Sequence, residues 1–334
     1  MHIVFCLMGF VALGQDVQYS QFYNDPLYIN PALAGAGKYN RAGIHFRDQW
    51  PGITEAYKTY SGFIDRFSKT LNSGFGLTFA QDIAGSGALK FTNVGANYSF
   101  LAVFDRFNSI RLGAKFDLSN RSVNFDKILF ADQVIRDFDP NTIEEFETNS
   151  VYYANFGAGF EYNNTKSHLR IGAAVDHLNE PNQSFTSVPY SVKRLYSAYF
   201  LYNLYIRTYT GSRSDAYFKI GAYYKNQEKW DQLEFGANFH NQDLELGLWY
   251  RGLPNVKSYK SGYSNNEAVI IYVGYQFQVV HIGYNYDITV SRLIQTSSNG
   301  AHEVTMVYAF RDPKKRGKKK RIIPCSDILG NSVR

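Results

Sequence analysis

From residue 39 onward the chain consists of stretches in which apolar and polar residues alternate one by one, and about fourteen such stretches follow one another. Successive side chains of a β-strand point to opposite faces, so each stretch has one greasy face and one small or polar face. In Ser73 to Asp82, the set Phe75, Leu77 and Phe79 opposes Gly74, Gly76, Thr78 and Asp82. In Tyr153 to Tyr162, Ala154, Phe156, Ala158, Phe160 and Tyr162 oppose Asn155, Gly157, Gly159 and Glu161. The pattern returns with Leu244, Leu246, Leu248 and Tyr250, with Val280, Ile282, Tyr284 and Tyr286, and with Val304, Met306, Tyr308 and Phe310. Several runs are about ten residues long, which is what a tilted strand needs to cross the hydrocarbon of a bilayer.

The spacing between the runs constrains the architecture further. The expected strands are Tyr39 to Gln49, Ala56 to Phe67, Ser73 to Asp82, Lys90 to Val103, Ser109 to Leu118, Tyr152 to Tyr162 and His168 to His177. They continue as Arg194 to Arg207, Ala216 to Lys225, Gln232 to His240, Leu244 to Arg251, Ala268 to Phe277, Val279 to Ile288 and Glu303 to Arg311. KTLN, DRFN, NNTKS, TGSRS, HNQD and a tight step at Gln278 alternate with connections that are mostly longer, the longest being 120–151, 178–193 and 252–267. Short turns on one side and long loops on the other are the signature of a transmembrane up-and-down antiparallel β-barrel. With both termini periplasmic, every long connection falls outside the cell.

Composition agrees with this reading. An aromatic fraction of 17% suits the girdles at the two membrane interfaces. A mean hydropathy of −0.32 is low for a membrane protein, but only alternate residues of a barrel strand meet lipid. Charges on the lipid side would cost about 2 to 4 kcal/mol for Arg or Lys at the midplane, so the phase places Arg251, Asp287, Glu303 and Arg311 toward the lumen, as an ion-pair network or the lining of a passage.

The chain divides into four parts. Residues 1–14 read as a secretory signal with its hydrophobic stretch from Ile3 to Leu13, preceded only by His2 and cut ahead of Gln15. Residues 15–38 are an irregular segment, 39–311 the barrel, and 312–334 a basic tail. Cys6 leaves with the signal, so Cys325 is the one thiol of the mature chain, inert or paired with a partner. The tail holds Lys314, Lys315, Arg316, Lys318, Lys319, Lys320 and Arg321; the net charge of +6 less these seven leaves −1 for the rest. Beyond the last strand of a barrel, this cluster is either a solvated, disordered tail or a contact for anionic headgroups or an acidic partner, rather than for nucleic acid.

Nothing in the sequence calls for a cofactor or a metal. Ser291, His302 and Asp287, with Glu303 as a second carboxylate, supply the residue types of a nucleophilic site, but no nucleophile elbow, HExxH or spaced Cys/His cluster accompanies them. ALAGAGKYN lacks the upstream glycine and the Ser or Thr of a phosphate loop. The acidic cluster Glu144, Glu145 and Glu147 reads as a solvated loop, with a calcium site as the alternative.

The segment after the signal carries the most specific pattern. QDVQYSQFYNDPLYINPALAGAGKYNRAGIHFRDQWPGI, followed in order by AYKTYSGFIDRF, GFGLTFAQDIAGSGAL, DHLNEPNQSF, LGLWYRG, YNYDITVSRL and GAHEVTMVYAF, resembles the PorP/SprF family of Bacteroidota outer-membrane proteins over nearly the whole mature chain. The resemblance implies a barrel associated with type IX secretion and gliding motility, with membrane lipid, the periplasmic ring of the apparatus and a large secreted surface adhesin as partners. A folded adhesin is wider than a lumen of about fourteen strands, so the expected role is adaptor or anchor, with a small-solute porin as the alternative.

Pro26 and Pro31 fix φ and remove donors, which makes 24–35 a rigid irregular stretch at or inside the periplasmic mouth. Asn24, Pro26, Asn30 and Pro31 there, Gln49, Trp50 and Pro51 after the first strand, and the basic tail are the candidate partner contacts.

Overall fold

The computed structural model describes residues 17–53, 57–84, 89–128, 131–137, 148–206, 216–253, 265–291 and 298–310. The signal, the basic tail with its seven cations, Arg311, both cysteines and the Glu144 cluster lie outside the described residues.

Alternating residues form fourteen strands: β1 Asn40–Gln49, β2 Tyr57–Ser68, β3 Ser73–Ala84, β4 Leu89–Val103, β5 Asn108–Val123, β6 Ser150–Asn164 and β7 Leu169–Asp176. The second half holds β8 Leu195–Tyr205, β9 Tyr217–Gln227, β10 Trp230–Asn241, β11 Leu244–Leu253, β12 Asn265–Phe277, β13 Val280–Thr289 and β14 Ala301–Phe310. Each pairs antiparallel with its sequence neighbours, and β1 closes on β14 from Asn40↔Phe310 to Gln49↔Ala301. Closure leaves no sheet edge, so no row of backbone donors and acceptors faces lipid unpaired.

The two faces invert the arrangement of a soluble protein. Ile44, Leu77 and Leu248 on the outer face are 57%, 59% and 61% exposed, while Arg41, Glu161 and Arg251 on the inner face are buried. The connections 69–72, 104–107, 165–168, 242–243 and 278–279 share one end with the longer 206–216, and 124–149, 177–194 and 254–264 share the other. Glu228 and Lys229 are a two-residue exception at the long-loop end. Gln242 and Gln278 take φ of 56° and 44°, the left-handed geometry that lets a two-residue turn match strand twist.

The lumen is not empty. Residues 17–36 lie within it and include a 3-10 turn at Phe22–Asn24, a four-residue helix α1 at Pro26–Ile29 and a second 3-10 turn at Pro31–Leu33. Pro26 and Pro31 each open one of these turns, where a missing N–H costs nothing and the fixed φ is already suitable. Phe22, Tyr23, Ile29, Leu33 and Ala36 pack against Tyr199, Leu201, Tyr223, Trp249 and Ile270 from the wall. The hydrophobic core of this barrel is therefore its plug.

Candidate functional site

The plug runs the length of the lumen. At the long-loop end, Gln18 Nε2 donates to Glu267 Oε1 at 3.0 Å. At the short-turn end, the Gly35 amide donates to Asp65 Oδ2 at 2.8 Å and Ser99 Oγ donates to the Ala34 carbonyl at 2.7 Å. Residues 17–36 therefore lie inside the barrel, with Ala34 and Gly35 at the short-turn end.

Its upper half is fixed by a buried charge cluster. Arg47 Nη2 and Arg251 Nη1 both reach Asp287 Oδ2, at 2.9 and 3.1 Å. Arg47 Nη1 also pairs with Glu303 Oε2 at 3.1 Å, and Arg251 Nε with Glu234 Oε2 at 3.0 Å. Ser20 of the plug sits at the centre: its Oγ accepts from Arg47 Nη1 and Arg251 Nη2, both at 2.6 Å, and donates to Asp287 Oδ2 at 2.5 Å. Its backbone amide and that of Gln21 donate to the two oxygens of Glu303 at 2.8 and 3.2 Å. The plug thereby ties β1, the first strand, to β11, β13 and β14.

The lower half is held by β6 and β7 on one side and by β1 and β2 on another. Asn30 Nδ2 donates to the carbonyls of Phe160 and Ala173 at 2.8 and 3.3 Å, while its Oδ1 accepts from the Ala32 amide at 2.9 Å. Arg41 pairs with Asp65 at 2.5 Å, and its Nη2 donates to the Leu33 carbonyl at 3.3 Å. Glycines on the wall let the plug backbone approach. A Cβ at Gly113 would collide with the backbone of Pro31 and Ala32, and one at Gly74 with the Ala34 carbonyl.

Asp25 is the acidic residue at the middle of the plug. Its Oδ2 lies 3.8 Å from His45 Nε2, and Ser61 Oγ donates to it at 3.5 Å. Burial pushes its carboxyl up to about 7. Burial likewise raises the Tyr19 and Tyr23 hydroxyls well above the ordinary tyrosine range.

The candidate residues fall into separate places. Arg251, Asp287 and Glu303 meet in the one cluster described above. Asn24, Pro26, Asn30 and Pro31 are all buried in the lumen, where they touch the barrel wall, so a partner reaches them only if the plug moves. Gln49, Trp50 and Pro51 sit together at the long-loop end of β1. Gln49 Oε1 accepts from Arg47 at 3.4 Å, the half-buried Trp50 ring meets Tyr57 edge-on at 5.8 Å, and Pro51 is exposed. Ser291, His302 and Asp287 are not brought together as a relay. Asp287 points inward onto two guanidinium groups, whereas His302 faces outward with Nδ1 2.8 Å from the Tyr284 hydroxyl.

Sequence reasoning missed Ser20, Arg41, Arg47, Asp65 and Glu234. The strand residues among them share the inward phase that marked Arg251, which is the signal available for them. Ser20 has no local signal, because its partners are 27 to 283 residues away.

Residues 11–308 match the model of the type IX secretion system membrane protein family PorP/SprF. The chain belongs to this family. PorP/SprF membership and the closed barrel make it an outer-membrane component of type IX secretion. Among solved structures it is similar to the CymD monoaromatic hydrocarbon channel, at 10% identity and a TM-score of 0.52, over 86% of this chain and 93% of that one. The Acinetobacter baumannii outer membrane protein Omp33 matches at 9% identity and a TM-score of 0.45, over 82% of this chain and 100% of that one. At such identities the CymD likeness is one of fold alone. No curated protein matches the chain.

Proposed function

We propose that this PorP/SprF barrel is an adaptor or anchor in the type IX secretion and gliding machinery, holding a large exported adhesin at the cell surface rather than passing it. The observation that carries this reading is the occupied lumen: residues 17–36 fill it and are fastened by hydrogen bonds to buried, ion-paired side chains of the wall. A channel built for traffic would leave its lumen wet, whereas here Leu27, Leu33 and Ala34 in the lumen have no accessible surface. With the termini in the periplasm, the Gln49 to Pro51 corner and the long loops face the adhesin. The basic tail from Lys314 to Arg321 then faces the periplasmic ring. The role is non-enzymatic.

The test is removal of the protein from a host that carries the apparatus, combined with crosslinking from the tail and from the long loops. Loss of one adhesin from the surface, with tail crosslinks to the periplasmic ring, is the expected result. Unchanged adhesin display with lost uptake of a small solute would replace the reading with that of a porin.

A further inference from the structure

We propose that a cavity between the plug and the barrel wall is a binding site for a small primary amine in its ammonium form. The cavity measures about 60 Å³ and is lined by Tyr19, Asp25, Lys115, Asp117, Asp176 and His177, among others. At about 10 to 15 Å³ per water it has room for roughly four waters, or for an ammonium group with a short carbon stem.

The charges around it are unbalanced toward acid. Lys115 Nζ is shared by Asp117 and Asp176, at 3.3 and 3.0 Å, which leaves Asp25 as a third carboxylate. Asp25 Oδ1 and the Tyr19 hydroxyl accept and donate no hydrogen bond, although these residues are only 4% and 6% exposed. Leaving a buried polar atom unmade costs about 1 to 3 kcal/mol. An ammonium group offers three N–H donors and a positive charge, and so answers both oxygens and the excess of carboxylate together. An anion would meet three carboxylates. An apolar ligand would leave the oxygens without partners, and among the described residues no three His, Cys, Asp or Glu side chains converge to hold a metal ion. Leu27, also on the lining, supplies an apolar surface for the carbon stem.

Binding is coupled to the Asp25 proton. The groups facing this carboxyl are Arg41 and His45 from β1, Lys115 and Asp117 from β5, Asp176 and His177 at the end of β7, and Tyr19 from the plug. Because burial holds the carboxyl at about 7, an arriving cation must ionise it, and affinity falls as pH drops below that value. One coupled proton weakens binding about tenfold per pH unit, or about a hundredfold between pH 8 and pH 5.

The experiment uses the full chain in detergent micelles, with the urea midpoint of unfolding followed against methylammonium chloride. Tetramethylammonium chloride at equal ionic strength is the control, since it has the charge but no N–H donor. The expected result is a saturable rise with methylammonium at pH 8, none with tetramethylammonium, an affinity about a hundredfold weaker at pH 5, and loss of the effect in Asp25→Asn. Equal responses to the two salts, or full binding by Asp25→Asn, would overturn the proposal. If that variant does not fold, Tyr19→Phe removes one hydroxyl without changing charge. Weakened binding then supports the site, and unchanged binding rejects it.

Discussion

Replacing Arg47 by leucine removes one of two cations from a buried cluster that holds Asp287, Glu303 and Glu234. The wild-type balance of two guanidinium groups against three carboxylates becomes one against three, in a place where the Arg47, Asp287 and Glu303 side chains are 4% exposed or less. Breaking a buried pair in this way costs about 3 to 5 kcal/mol, because the abandoned carboxylate stays out of water without its counter-ion. Ser20 Oγ loses a charged donor at the same time, which adds to the cost. In urea, with a slope of about 2 to 3 kcal/mol per molar, the midpoint should fall by about 1 to 2.5 M. The same arithmetic predicts a rescue. In Arg47→Leu/Asp287→Asn one cation faces two carboxylates, the excess of the wild type, so the double variant should regain about 1 to 3 kcal/mol over the single one. The assay is urea unfolding in micelles, read by the shift between folded and unfolded barrel bands on a cold gel. A single variant within about 1 kcal/mol of wild type would refute the reasoning, and so would a double variant less stable than Arg47→Leu.

Gly113→Leu sets a side chain against the Pro31 and Ala32 backbone without touching the strand ladder, so the plug should become accessible to protease while the barrel stays folded, at about 1 to 3 kcal/mol. Asp25 has a folded pKa of about 7 against an ordinary 3.8, so the wild type carries no penalty below about pH 4 and an increasing one up to pH 7. Its upper bound is about 4 kcal/mol, and Asp25→Asn should flatten this decline when urea unfolding is compared at pH 4.5 and pH 8. Leu77→Arg on the lipid face should cost about 2 to 4 kcal/mol of folding into vesicles, and a neutral result would mean that Leu77 does not meet hydrocarbon.

The barrel was legible in the sequence because a lipid-facing strand must alternate, and alternation is local. The strands from Ser73 and from Leu244 begin where the pattern begins. The reading stopped short at β5, expected to end at Leu118 but continuing to Val123. Ser119 to Arg121 and Ser122 carry no apolar alternation, and that stretch is held by pairing with β4 and β6. The plug was half legible. Its prolines announce irregular backbone, yet nothing local says that Phe22, Tyr23, Leu27 and Ile29 turn into the lumen. That follows from partners such as Asn285 and Glu303, more than 260 residues distant. The inward phase marked Arg251, Asp287 and Glu303, but their convergence on Ser20 depends on barrel closure, which brings β1 beside β14.

Planar-bilayer recording compares the intact protein with a variant lacking residues 18–36. A lumen sealed by its own leading segment predicts a silent wild type and steady openings from the shortened chain. Steady openings of the same size from both would mean that the segment does not close the barrel, and the anchoring role would lose its support.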